Sequence, residues 1–156
     1  MRALFLIFMS AVMSGCMAPA ITYDHNRVLA EDGGDVYSTR TDTINRPYSE
    51  VKNILEETAP RCLNRHVNDG GVTTDRFVRF YPGATNDSLV LTYLIKGSGM
   101  PDSEAVNVLV TTASKQSGTT TTVKTYYYDI MFLGNLEAYA GVLMEWVHGE
   151  HELCLN

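Results

Sequence analysis

The chain has 156 residues, and its formal net charge of −6 at pH 7 comes from 18 acidic and 12 basic residues. The sequence is negatively charged overall and has no cluster of basic residues. Both features argue against binding to nucleic acid and against electrostatic docking on anionic lipid. The length suits one domain with a real hydrophobic core and is short for two.

The start of the chain, as far as Cys16, has the organisation of an export signal. Arg2 precedes the apolar run "ALFLIFMSAVM", which occupies positions 3–13. Because a bilayer core of about 30 Å needs about 20 residues, this run is too short to span it and suits the h-region of a signal. The run leads into "MSGC", which closes on Cys16. This sequence resembles the lipobox of bacterial lipoproteins, although that family prefers Leu where Met13 stands.

The lipobox resemblance implies where the protein resides. In that family the signal, here residues 1–15, is removed, and the cysteine, here Cys16, receives a diacylglycerol and a further acyl chain such as palmitate. Several acyl chains hold a protein firmly, since each buried CH₂ contributes about 0.8 kcal/mol. The presence of Met17 rather than Asp after the cysteine implies the outer membrane by the same resemblance. We expect residues 16–35 to form a tether and residues 36–156 a single periplasmic domain.

The first part of that domain is predicted to be a strand followed by a helix. Residues 37–44, "YSTRTDTI", alternate and are rich in Thr, as in a strand with one wet face. A helix follows with Ser49 as its expected N-cap, and apolar residues recur at helical spacing as far as Cys62. Pro60 removes a hydrogen bond and crowds the preceding turn, so we expect the helix either to kink there or to stop near Thr58 and resume as a final turn.

Four further strands are predicted after a turn at "NDGG", residues 68–71. Their sequences are "DRFVRFYP", "SLVLTYLIK", "AVNVLVTTAS" and "TTTTVKTYYYD", and short links containing glycine or polar residues separate them. Alternation predicts which side chains of a strand lie on the same face. In one strand these are Leu89, Leu91, Tyr93 and Ile95. In the next strand they are Val106, Val108 and Val110.

The last element is predicted to be an amphipathic helix. Asn135 is its expected N-cap, and the sequence "LEAYAGVLMEWVHGEHELC" carries an apolar stripe from Leu136 to Cys154. Gly141 and Gly149 weaken such a helix by roughly 1 kcal/mol each relative to Ala. Packing must therefore hold the helix in place.

The order strand, helix, four strands, helix predicts an α+β fold. An antiparallel sheet of about five strands with both helices on one face would bury both apolar stripes in a two-layer sandwich. The order is similar to the helix-grip arrangement found in some lipoprotein subunits of outer-membrane assembly machinery. The placement of "APRCLN" and "WVHGEHELC" also resembles small envelope lipoproteins with two cysteines. Neither resemblance supplies a catalytic motif.

Cys62 and Cys154 remain as a pair once Cys16 is assigned to lipid. The periplasm is oxidising, so disulfides persist there, and we predict a Cys62–Cys154 disulfide between the two helices. The alternative is a zinc site formed by Cys62, His66, His151 and Cys154. That site requires the helix to unwind so that the histidines converge on the cysteines. The disulfide is therefore the preferred interpretation, and we expect no metal or other cofactor.

The sequence contains no nucleophile elbow and no phosphate-binding glycine loop, so we expect no enzymatic activity. Three aromatic residues, Tyr126, Tyr128 and Trp146, are candidates for a patch that contacts a partner or a ligand. The leading hypothesis is a non-catalytic interaction or scaffold module that binds an envelope protein. The alternative is a carrier or sensor that holds a small apolar, lipid-like ligand between sheet and helices.

Overall fold

A computed structural model describes residues 37–128, 135–150 and 154 of the chain. The predicted signal, Cys16 and the tether lie outside the described residues, as do His151 and the side chain of Tyr128. Within the described part, no helix is long and apolar enough to cross a membrane.

The described residues form one antiparallel sheet, two α-helices and a short 3-10 helix at Asp102–Glu104. The strands are β1 (Tyr37–Ile44), β2 (Arg65–Asp69), β3 (Val72–Pro82), β4 (Ser88–Gly97), β5 (Val106–Lys115) and β6 (Thr121–Tyr128), and the helices are α1 (Tyr48–Leu63) and α2 (Leu136–His148). The six strands lie in the order β1-β6-β5-β4-β3-β2, so β1 and β2 form the two edges. Residues of both helices join those of the sheet in one hydrophobic core. The α+β prediction is therefore confirmed, with six strands instead of about five.

The unpredicted strand is β2, with the sequence "RHVND". Val67 is its single aliphatic residue, so the strand gives almost no hydrophobic pattern. Its pairing with β3 is set by the turn between them, because Gly70 and Gly71 have φ angles of 57° and 88°. Positive φ at both central residues is typical of the two-residue hairpin turn that matches the twist of the strands. The predicted turn at residues 68–71 is thus present, and it extends the sheet by one strand.

The start predicted for α1 needs correction, and of the two alternatives at Pro60 the structure excludes a stop near Thr58. The helix begins at Tyr48, and Pro47 rather than Ser49 occupies the N-cap position, without a side-chain cap. The helix also continues through Pro60 to Leu63. Pro60 is partly exposed, so water can reach the helix backbone at the point where the proline supplies no N–H group. The last turn of α1 then brings Cys62 into the core.

Helix α2 begins as predicted and ends earlier than predicted. The side chain of Asn135 accepts a hydrogen bond from the Ala138 backbone N–H at 3.0 Å, as an N-cap does. The helix ends at His148, and Gly149 follows with a φ of 126°, a conformation that glycine adopts at low cost. Cys154 therefore lies beyond the helix and not on its apolar stripe.

The sheet has one face toward the helices and an outer face away from them. Leu91, Tyr93 and Ile95 contact the main core on the helix face, as the alternation of β4 predicts. The prediction for the valines of β5 is wrong, because the β4–β5 register shifts after Tyr93. This irregularity changes the side-chain alternation, so Val108 joins the main core and Val110 joins a small cluster on the outer face.

Candidate functional site

Two arginines lie directly opposite each other on the helix face of the sheet. Arg65 of β2 pairs with Arg76 of β3, and Arg76 shares its face with Val78, which packs against the main core. Like charges directly opposite each other in a sheet are destabilising. An arginine pair on this side of the sheet therefore needs an explanation beyond folding.

Tyr139, at the end of the first turn of α2, lies over Arg65. The guanidinium group of Arg65 donates a hydrogen bond to the Tyr139 hydroxyl, and its central carbon lies 5.5 Å from the centre of the Tyr139 ring. The contact combines a hydrogen bond with a cation–π interaction. Because the hydroxyl oxygen accepts this bond, its own proton remains available for donation.

Tyr93 of β4 lies next to Tyr139, with 5.5 Å between the ring centres. Tyr93 is fully buried, with 0% of its surface exposed, and its hydroxyl group has no hydrogen-bond partner among the described residues. Leaving a buried hydroxyl without a partner costs about 1–3 kcal/mol. Most buried polar groups in native proteins are satisfied, so the Tyr93 hydroxyl is one of a few exceptions among the described residues.

Arg76 is half-buried, and its Nε is enclosed without a hydrogen-bond acceptor. The ion pairs of the described residues leave Arg76 without a carboxylate partner. We call Arg65, Arg76, Tyr93 and Tyr139 the arginine–tyrosine site. Two of its members are cations, and the two hydroxyl groups can both donate. The arrangement favours an anionic group such as a carboxylate or a phosphate.

None of these four residues stands out as functional in the sequence. One signal lies in the strand "DRFVRFYP", where Arg76 alternates with Val78 and Phe80 and so shares a face with two residues that contact the core. A charged residue at an inward position of a strand is expensive unless it has a partner. The other three members come from β2, β4 and α2, and only the tertiary structure brings them together.

The two cysteines predicted to pair form a disulfide in the structure. The Cα atoms of Cys62 and Cys154 lie 5.1 Å apart. Cys62 is buried and Cys154 is exposed. Because α2 ends at His148, the bond fastens the segment after α2 to the last turn of α1, and not one helix to the other as expected.

The alternative zinc site is not assembled. The disulfide engages Cys62 and Cys154, which therefore supply no thiolate ligands. His66 lies on β2 with its Nδ1 at 2.7 Å from Oδ1 of Asp75. Among residues 37–128, 135–150 and 154, no three potential metal-ligating side chains come together.

The predicted aromatic patch is not a single exposed surface. Trp146 is 0% exposed and lies in the main core between sheet and helices. Tyr126 is 3% exposed and lies in the outer-face cluster with Val90 and Val110, where Lys124 covers its ring at 4.8 Å. The two residues are on opposite sides of the sheet, because β6 directs Tyr126 outward. The grouping of these aromatic residues is thus corrected.

His148, the last residue of α2, binds the edge strand of the sheet. Its Nε2 lies 2.8 Å from Oδ2 of Asp42 on β1. The hydrogen bond with His148 lowers the pKa of Asp42 below its ordinary value of 3.8. Arg46 donates a further hydrogen bond to the backbone carbonyl of His148 at 3.2 Å. These contacts hold the C-terminal end of α2 to β1.

Comparison with known proteins identifies no family for the chain. No protein-family model and no curated protein matches it. Among solved structures, the chain is similar to the Mll3558 protein from Rhizobium loti, with 18% identity, a TM-score of 0.43, and coverage of 74% of this chain and 97% of that one. A START superfamily protein from Mycobacterium smegmatis has 9% identity, a TM-score of 0.43, and coverage of 75% and 97%.

The di-domain ARO/CYC protein StfQ from the steffimycin biosynthetic pathway is also similar. It has 11% identity and a TM-score of 0.37, and the match covers 79% of this chain and 54% of that one. The chain thus spans about half the length of StfQ. Similarities at this level carry no conclusion about ligand or activity.

Proposed function

We propose that the domain is a carrier or sensor for a small amphipathic anion, whose acidic group binds at the arginine–tyrosine site. The observation that carries this proposal is the fully buried Tyr93 hydroxyl without a partner. It lies beside Tyr139 and on the same face as Arg76, an arginine without a carboxylate partner in the described part of the chain. One carboxylate or phosphate can accept hydrogen bonds from these groups together.

The donors of the site select the acidic group of the ligand. A guanidinium group has a planar set of N–H donors that matches two oxygens of a carboxylate or phosphate. A neutral alcohol or amide would satisfy the Tyr93 hydroxyl but would leave the charge of Arg76 without a counterion. The predicted order of affinity is therefore carboxylate or phosphate above alcohol for ligands with the same apolar part.

The apolar part of the ligand would lie between the sheet and α2. Tyr93 belongs to the main core, together with Leu91 on its own strand and Leu143 on α2. An apolar chain that extends from the acidic group would contact these residues. Binding would then replace some of the contacts between α2 and the sheet, and it would bury apolar ligand surface at about 25 cal/mol per Å².

An interaction or scaffold role has less support in this domain. Tyr126 and Trp146, expected to belong to a patch for a partner or a ligand, are buried and offer no exposed surface to a protein. A ligand-binding role at the arginine–tyrosine site instead uses the Tyr93 hydroxyl and Arg76, which lack a hydrogen-bond partner and a carboxylate partner, respectively, among the described residues. We propose binding without catalysis, because in the described residues both histidine–carboxylate pairs, His66 with Asp75 and His148 with Asp42, lack a hydroxyl or thiol nucleophile among their hydrogen-bond partners.

We also propose that the domain is located in the bacterial envelope. The lipobox-like "MSGC" sequence supports an acyl anchor on Cys16 and an outer-membrane lipoprotein that faces the periplasm. We also propose that the architecture is of the helix-grip type. The support is the chain order, with α1 between the two edge strands β1 and β2 and with α2 after the last strand.

A binding titration with matched ligands tests the proposal. Isothermal titration of the disulfide-bonded protein would compare a medium-chain carboxylate with the alcohol of the same chain length. Arg76→Met should weaken carboxylate binding by about 10–100-fold, since a hydrogen bond to a charged group contributes about 1.5–3 kcal/mol. The same substitution should leave the weaker binding of the alcohol nearly unchanged.

Arg79→Met is the matched control, because Arg79 lies three residues along β3 and binds Asp102 at 2.6 Å instead. This variant should bind the carboxylate as the unsubstituted chain does. Native mass spectrometry of protein purified from its own host would add an independent measurement, with a bound acid expected. Equal affinity for the two ligands, or equal losses in both arginine variants, would contradict an anion-binding site at Arg76.

A further inference from the structure

Among the described residues, the edge strand β1 has one side without a neighbouring strand. It is eight residues long and pairs with β6 on one side. Within the described residues, no backbone group of another segment bonds to its other side. Thr39, Arg40 and Thr41 are exposed. Such an edge offers a row of backbone donors and acceptors to an additional strand.

Two opposite charges lie near the centre of β1, one residue to either side of Thr41. Arg40 and Asp42 are paired with Thr125 and Val123 of β6, and Val123 packs in the main core, so both charges are on the helix face. The Asp42 carboxylate accepts from the Thr43 backbone N–H and contacts His148. An ionised carboxylate has about four acceptor sites, so Asp42 can accept from one more donor.

We propose that a second copy of this chain adds its β1 antiparallel to β1, around a two-fold axis at Thr41. In this register Arg40 lies opposite the partner's Asp42, and the relation is reciprocal. On the outer face, Thr39 lies opposite the partner's Thr43. The interface is therefore complementary to itself, as a two-fold dimer requires.

The charges of Arg40 and Asp42 favour this register over the two registers whose axes pass through those residues. In a two-fold antiparallel pair, residues of the same face lie opposite each other, so the axis passes through a residue. An axis at Arg40 would put Arg40 opposite itself, and an axis at Asp42 would put Asp42 opposite itself. Like charges directly opposite are destabilising and opposite charges are stabilising. Only the axis at Thr41 pairs opposite charges among these three.

The other edge of the sheet is less suitable for the same interaction. β2 has five residues, and its last two, Asn68 and Asp69, lead directly into the hairpin turn at Gly70 and Gly71. A longer strand forms more backbone hydrogen bonds with an added strand, so β1 is the edge that a second copy can extend. The two sheets then continue into each other, with the helix layers of both copies on the same side.

Cysteine crosslinking of the full-length chain tests the register. Directly opposite residues have Cα atoms about 4.5–5.5 Å apart, within the range of a disulfide. Thr41→Cys should form a covalent dimer under mild oxidation on a non-reducing gel. Thr39→Cys should not crosslink to itself, but an equal mixture of Thr39→Cys and Thr43→Cys should. The unsubstituted chain and Ser117→Cys, in the exposed β5–β6 turn, are the controls and should stay uncrosslinked.

Charge exchange gives a second and independent measurement. By sedimentation equilibrium, Arg40→Asp and Asp42→Arg should each raise the dissociation constant of the dimer by about tenfold or more. The double exchange should restore it, and Lys52→Glu on α1 should leave it unchanged. A monomer at every concentration, or failure of the double exchange to restore dimers of a folded protein, would overturn the proposal. Crosslinking of Thr41→Cys no faster than of Ser117→Cys would do so as well.

Discussion

Replacing Tyr93 with phenylalanine removes one oxygen atom from the helix face of the sheet and keeps the aromatic ring. The ring contact with Tyr139, at 5.5 Å between centres, is retained. Among the described residues the lost hydroxyl has no hydrogen-bond partner, so the substitution breaks no interaction within that part of the chain. We therefore predict that Tyr93→Phe stabilises the protein, which is unusual for a substitution at a fully buried residue.

The size of the effect follows from burial. Tyr93 is 0% exposed, so its hydroxyl bears the full cost of desolvation, about 1–3 kcal/mol. The space left by the oxygen atom reduces the gain, because contacts across a small void are lost. A net increase of about 1–2 kcal/mol in the free energy of unfolding is expected. For a domain of this size, it corresponds to a rise of about 4–8 °C in Tm.

Tyr139→Phe is the matched comparison. It removes the same oxygen atom from a neighbouring buried ring, but this hydroxyl accepts a hydrogen bond from Arg65. Loss of a hydrogen bond to a charged group costs about 1.5–3 kcal/mol. Urea denaturation of both variants with the disulfide intact should therefore give changes of opposite sign.

Binding provides the second measurement for Tyr93→Phe. The stabilised variant should bind the carboxylate ligand more weakly than the unsubstituted chain, by about fivefold or more, since one hydrogen bond contributes about 1 kcal/mol. A loss of stability of about 1 kcal/mol or more in Tyr93→Phe would refute the reasoning, because the hydroxyl would then have a partner in the free protein. Increased stability with unchanged affinity would separate Tyr93 from the ligand.

Three further predictions concern other parts of the chain. Replacing both Cys62 and Cys154 with alanine should lower the free energy of unfolding by about 4–5 kcal/mol in the loop-entropy treatment, given their sequence separation of 92, and reductant should then have no further effect on the urea midpoint. The lowered pKa of Asp42 means that its stabilising contribution is present above pH 3.8 and is lost as the pH falls through the folded-state pKa below that value; acid titrations followed by circular dichroism should show a weaker pH dependence in Asp42→Asn. Cys16→Ser should move the protein from the membrane fraction to the soluble periplasmic fraction, and retention in membranes would contradict the lipid anchor.

Much of the fold is predictable because local patterns and packing agree. Asn135 caps α2 as its side chain allows, and the alternation in β4 places Tyr93 on the helix face. The predictions that failed for the sheet depend on pairing between strands. β2 has too few apolar residues to be recognised, and its existence depends on pairing with β3. The register shift after Tyr93 depends on the neighbouring strand and leaves no mark in the alternation of β5.

The candidate site could not be predicted in the same way, because Tyr93 and Arg76 are distinguished by partners that they lack among the described residues. A buried tyrosine and an inward arginine each have an ordinary explanation in the sequence, namely a core aromatic residue and an ion pair. Only the structure shows that Tyr93 has no hydrogen-bond partner and that Arg76 has no carboxylate among the described residues. Hydrophobic periodicity reports where a side chain is directed, and it contains no information about whether its polar atoms are satisfied.

Different contacts hold the two ends of α2. At its end, His148 contacts Asp42 of β1 and accepts from Arg46, and beyond the helix the disulfide joins Cys154 to the last turn of α1. At its start, Tyr139 contacts Arg65 of β2, next to groups that an anion would stabilise. Because a ligand that binds only the folded state adds to its stability, the anion should stabilise the start of α2 most, while the end of α2 is already held without it. Hydrogen exchange should then show increased protection on ligand addition near Tyr139 and little change near Val147.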